Sequence, residues 1–65
     1  MTKSEFLKSI ERFLEEYRLT PTSFGMNAIK DPNFVFNLRN GRECREETQK
    51  KVLEFMENYK ADADA

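Results

Sequence analysis

LTPTSFGMNAIKDPNFVFNLRNGR, residues 19–42 of a 65-residue chain, is the stretch whose reading decides the fold. Thr20-Pro21 pairs a capping hydroxyl with a proline at a first helical position, where a missing N–H costs little. Asp31-Pro32 repeats that start signal a few turns later. The spacing predicts a short helix over about residues 21–29, a tight turn of two or three residues, and a second helix over about 32–40. Asn40-Gly41 offers a left-handed stop for the latter. Gly25 sits inside the first of these helices, where glycine is less favourable than alanine by about 1 kcal/mol. Its presence there implies a close approach that a larger side chain would block, at the crossing of the two helices. In the second helix Phe34, Val35 and Leu38 form an inward stripe.

Working outward, Phe6, Leu7, Ile10, Phe13, Leu14 and Tyr17 recur at the 3–4 spacing of one buried helix face, which predicts a helix over about 4–18 capped by Ser4. Lys8, Glu11, Arg12, Glu15 and Glu16 occupy its other face, with Glu11 opposed to Lys8 and Glu15 to Arg12, as on a solvated surface. On the far side, Glu46 and Glu47 favour a helix N-terminus. Thr48, Val52, Phe55, Met56 and Tyr59 then define the apolar side of a fourth helix over about 46–59. Residues 61–65 read as a frayed acidic tail. Phe34-Val35-Phe36 is too short for a strand and follows a helix-start signal directly. The expected architecture is all-α: one domain over residues 1–60, a compact four- to five-helix bundle.

Composition narrows the function. A single Cys44 and no His exclude an intrachain disulfide and leave almost nothing for a zinc site, so helix packing must hold the domain together. The chain shows neither a charged-then-apolar leader nor an apolar run near 18 residues, so the expectation is a cytoplasmic protein with no membrane contact. No His general base, no paired acids in an apolar setting and no Gly-rich phosphate loop argue against an enzyme, a cofactor or a small-molecule substrate. Cys44 lies beside Arg42 and Arg45, whose charges would lower its pKa, yet without a base or pocket it reads as a spectator thiol. Glu15-Glu16 and Glu46-Glu47 are adjacent helical pairs that diverge and make a poor metal clamp. The net charge is −1. Its distribution is uneven: Lys30, Arg39, Arg42 and Arg45 face Asp31 and Glu43 in the middle, while residues 46–65 are acidic, a pattern equally suited to DNA binding and to ordinary solvation.

Residues Leu19-Thr20-Pro21-Thr22-Ser23-Phe24-Gly25 through Val35-Phe36-Asn37-Leu38-Arg39-Asn40-Gly41 resemble the lambda-repressor-like, Cro/C1-type helix-turn-helix DNA-binding domains of bacteria and phages. The likeness covers about a third of the chain without a gap, and the flanking helices fit the same fold. It rests on apolar Leu19, capping Thr20, apolar Phe24, small Gly25, apolar Val35 and Leu38 three apart, and Asn40-Gly41 followed by basic Arg42. Two positions depart from the family: Ile29-Lys30 stands where it usually has Gly in the turn, and Pro32 where it has a polar residue. Its Gln near the start of the second helix is replaced at Pro21.

The resemblance implies sequence-specific binding of a double-stranded DNA operator by a transcriptional regulator, repression ahead of activation, with helix 32–40 in the major groove. Asn33, Phe36 and Asn37 would contact bases, Asn pairing with adenine and Phe covering a thymine methyl. The competing reading folds Phe36 back onto Ile29 or Met26 and leaves the two Asn to solvation or capping. Thr22 and Ser23, in the first turn of the second helix, would take a phosphate. Lys30, Arg39, Asn40, Arg42 and Arg45 would take others. A homodimer on DNA is implied, with Phe55, Met56 and Tyr59 as its contact unless they complete the monomer core. The alternative function is a small helical protein–protein interaction module using Phe36 or Phe55, Met56 and Tyr59.

Overall fold

Thr20 begins the central unit as its sequence requires. Extended at φ −83°, ψ 152°, it accepts the Ser23 N–H on Oγ1 at 3.1 Å, with Pro21 opening the helix behind it. The computed structural model describes residues 3–64, and among these four helices follow in order: α1 Lys3–Tyr17, α2 Pro21–Ile29, α3 Phe34–Arg39 and α4 Glu46–Asp64. The described residues contain no strand.

Three boundaries differ from the sequence expectation. Helix α1 already includes Lys3, so Ser4 lies within it and does not cap it. Helix α4 runs on to Asp64, taking in residues expected to belong to a frayed tail. Helix α3 starts at Phe34 and not at Pro32. The Asp31 carbonyl accepts the Phe34 N–H at 3.2 Å, Asp31 Oδ1 accepts the Asn33 N–H at 3.0 Å, and Asn33 sits at φ −99°, ψ 3°. This is a type I turn with Asp and Pro in its first two places. Proline holds the same φ in such a turn as at a first helical position, so the dipeptide announces either one.

The core is built from the residues that the periodicity selects. Phe6, Ile10, Phe13 and Leu14 of α1, Phe24 of α2, Phe34, Val35 and Leu38 of α3, and Val52 and Met56 of α4 are all buried. Phe13 is the hub, its ring meeting those of Tyr17, Phe24, Phe55 and Tyr59 at centroid distances of 4.7, 5.6, 6.4 and 5.3 Å. Most of these are edge-on or tilted pairs, the arrangement that aromatic quadrupoles favour. They tie α1, α2 and α4 together, while Phe6 against Phe34 at 6.5 Å ties α1 to α3.

Left-handed residues end the first three helices: Arg18 at φ 54°, Lys30 at 58° and Gly41 at 93°. At α3 the motif is complete. Gly41 N–H reaches the Leu38 carbonyl at 3.0 Å and Arg42 N–H the Asn37 carbonyl at 2.9 Å, the paired bonds of a Schellman stop. Lys30 occupies the left-handed place in the α2–α3 connection that a glycine would fill without a Cβ penalty. Lys30→Gly is therefore expected to raise stability by about 1 kcal/mol, read as a higher urea midpoint at unchanged slope. A lower midpoint would mean that the lysine side chain contributes more than its backbone strain costs.

Candidate nucleic-acid interface

Helix α3 is one and a half turns long, and its two sides are sharply different. Phe34, Val35 and Leu38 are at most 5% exposed, so the inward side is fully committed to the core. Asn33, Phe36, Asn37 and Asn40 share the opposite side by their spacing of three and four. Asn33 and Asn40 are exposed, Asn37 is half-buried, and Phe36 is 41% exposed. Phe36 therefore does not fold back as extra core. The Asn33 side chain makes no capping hydrogen bond at the start of α3; Asp31 serves that turn through Oδ1.

The residues expected at phosphates fall into three groups. Thr22 is exposed and Ser23 half-buried at the start of α2. Pro21 has no N–H, and those of Ser23 and Phe24 go to Thr20, so Thr22 is left to supply the backbone donor of this helix end. Ser23 Oγ accepts from Asn27 Nδ2 at 3.3 Å. Lys30 is exposed at the left-handed end of α2, away from the outward side of α3 in sequence and lining a different cleft.

Arg39 is already partnered. Its Nη2 and Nε donate to Glu11 Oε1 and Oε2 of α1 at 2.6 and 3.1 Å, and its guanidinium lies 5.7 Å from the Phe36 ring centroid. Hydrogen bonding to Glu11 raises its pKa further above the usual arginine value. Glu11 thus reaches across to α3, where sequence spacing paired it with Lys8.

Arg42 and Arg45 are exposed beyond the Schellman stop and line a cleft of about 370 Å³ with Asn37, Cys44, Thr48 and the edges of Phe34 and Leu38. Cys44 is half-buried there, and desolvation pushes its thiol pKa up. That reverses the sequence inference that the neighbouring arginines would lower it.

Phe55, Met56 and Tyr59, expected as a dimer contact, lie against the monomer's own core: Met56 is buried, and Phe55 and Tyr59 are half-buried in the ring cluster around Phe13. Sequence reasoning passed over two surface features. Met26 is 49% exposed on α2, legible as the apolar residue that falls two places off the buried Phe24. The bridge from Glu11 to Arg39 had no local signal, because the partners are 28 residues apart.

Among the described residues no group of His, Cys, Asp and Glu is placed to hold a metal, and no helix is long and apolar enough to cross a membrane. Among the described residues the fold is all-helical, four helices in which the short α3 stands between the tight α2–α3 turn and the irregular link over residues 40–45. Compared with protein-family models, with curated proteins and with solved structures, the chain has no match.

Proposed function

We propose that the chain is a sequence-specific double-stranded DNA-binding protein of the lambda-repressor-like class, a transcriptional regulator, and a repressor in the first instance, of a bacterium or phage. The observation that carries this reading is Phe36, left 41% exposed between Asn33 and Asn37 on a helix whose other side is entirely buried. A core-locked helix that turns two amides and an aromatic ring outward is a platform for base edges in a groove about 12 Å wide. The body is 20 Å across its short axes. Thr22 at one end and Arg42 and Arg45 at the other flank α3 in sequence and offer phosphate donors, the positioning contacts that such a platform needs. Two copies on half-sites about 34 Å apart would double the contacts that one small domain can make.

The test is selection of tight binders from a randomised duplex library at moderate salt. Enrichment of a two-fold symmetric sequence supports operator reading and yields the half-site spacing. In the same assay Arg42→Ala is expected to weaken binding to all sequences alike and to lower the slope of log affinity against log salt by about one. An unchanged slope would take Arg42 out of the phosphate set.

Exposure of Met26 together with Phe36 favours one other reading, a protein-interaction module with an apolar contact. The net charge of −1 suits it as well. Salt separates the two, since phosphate binding falls steeply with ionic strength and apolar docking does not.

A further inference from the structure

Arg39 is the single charged side chain of α3. It is also the residue there whose charge is already neutralised. Its Nε and Nη2 form one edge of the guanidinium fork, and both go to the carboxylate of Glu11. That two-pronged edge is what a phosphate would use in a bidentate contact. The guanidinium lies over the Phe36 ring, so it belongs to the outward side of α3 and not to a remote surface.

We propose that Glu11 is an affinity-limiting residue for DNA: it occupies the fork of Arg39 as an internal counter-ion and so keeps this arginine from adding a phosphate contact. The inference rests on the DNA-binding reading above and deepens it. Both side chains are about 40% exposed. An exposed pair of this kind is held weakly, so Arg39 is free to exchange partners. Exchange brings no net gain, however, because the released Glu11 carboxylate is left beside the incoming phosphate. Affinity from counterion release grows with the number of phosphates neutralised. While Glu11 is present, Arg39 adds nothing to that number. The arrangement limits sequence-independent binding and leaves the amide contacts of Asn33 and Asn37 untouched, which favours discrimination over retention on arbitrary DNA.

The experiment compares the full chain with Glu11→Gln, Arg39→Gln and the double variant on a random-sequence duplex, by fluorescence anisotropy over a series of salt concentrations. Glu57→Gln, an exposed site on α4, serves as a control with the same change in net charge. Circular dichroism establishes that each variant is folded. Glu11→Gln is expected to bind about fivefold more tightly and to steepen the salt slope by about 0.9. Glu57→Gln is expected to change both much less, and the gain from Glu11→Gln is expected to vanish when Arg39 is already Gln. An equal gain from Glu57→Gln, or persistence of the gain without Arg39, would reduce the effect to bulk charge and overturn the assignment. Weaker binding by Glu11→Gln would overturn it in the other direction, making Glu11 a residue that positions Arg39 for DNA. If the wild-type chain binds no duplex at any salt concentration, the DNA reading falls and this inference with it. If it binds and Glu11→Gln is no tighter, the inference alone falls.

Discussion

Gly25→Ala is expected to destabilise the domain by about 3 kcal/mol. Helix propensity alone predicts the opposite sign, since alanine in a helix interior is favoured over glycine by about 1 kcal/mol. Packing decides the matter. A Cβ on Gly25 would fall on the carbonyl oxygen of Asp31, and it would lie 3.2 Å from the carbon of that carbonyl and 3.3 Å from the Phe34 Cβ. The obstacle is backbone in a constrained turn, held by the Asp31 N–H on the Gly25 carbonyl at 3.1 Å and by the Phe34 N–H on the Asp31 carbonyl at 3.2 Å. It cannot swing aside as a flexible side chain would. A domain of this size has a total stability of about 3–10 kcal/mol, so the change removes a large part of it. Each kcal/mol lowers Tm by about 4–8 °C in so small a domain, which puts the expected drop at about 12–24 °C. Thermal unfolding followed by circular dichroism reads this directly. A variant that melts at or above the wild-type temperature would mean that the α2–α3 connection stands farther from α2 than described.

The second large effect concerns recognition. Replacing Asn33 and Asn37 together by Ala is expected to abolish preference for the selected operator while leaving weak, salt-sensitive binding to any duplex. An amide paired bidentately with a base is worth about 1–3 kcal/mol of discrimination, so the pair accounts for about 2–6 kcal/mol if their contributions add. Both side chains are on the outward side of α3, neither is part of the core, and the Asn33 side chain caps nothing, so the fold should survive the double change. On the proposed reading, Arg42 and Arg45 are left to supply the sequence-independent phosphate contacts. Competition of operator against random duplex measures the ratio. If the double variant keeps the wild-type ratio with its fold intact, α3 does not read bases through these amides, and Phe36 with Met26 becomes the surface to pursue.

The effects differ in how far they could be foreseen from residue order. Gly25 was legible as a site of close approach because glycine in a helix needs a reason. Which atom approaches was not legible, since the turn carbonyl of Asp31 takes that place only once Lys30 has reversed the chain in the left-handed region. Asp31-Pro32 shows the limit of a local signal: proline at φ near −65° satisfies a type I turn and a helix start equally, and the hydrogen bond into Phe34 N–H selects the turn. The apolar faces of α1 and α4 were legible from their 3–4 spacing. What Phe55 and Tyr59 meet within their own chain was not, because a hydrophobic stripe carries no mark of its partner; Phe13 and Tyr17 of α1 supply those contacts. Cys44 read as a spectator thiol, but the direction of its pKa shift was not legible, because burial is set by packing and not by sequence neighbours. Nearby arginines in sequence suggested a lowered pKa, whereas burial in the cleft raises it.

Elements whose cause is local were thus readable in the order of residues. These include the cap at Thr20-Pro21, the stop at Asn40-Gly41, the inward stripe of α3 and the helix faces of α1 and α4, whereas the outward place of Phe36 was decided only by the packing. Each readable element depends on backbone geometry within four or five positions, which the residue types encode directly. Contacts between distant segments were settled by packing. The four helices must share one small core, and that requirement sets Asp31 against Gly25, closes the aromatic cluster around Phe13 and brings Glu11 to Arg39. Such pairs follow from how the helices cross, a three-dimensional outcome of burying every apolar face at once, and no short-range pattern records it.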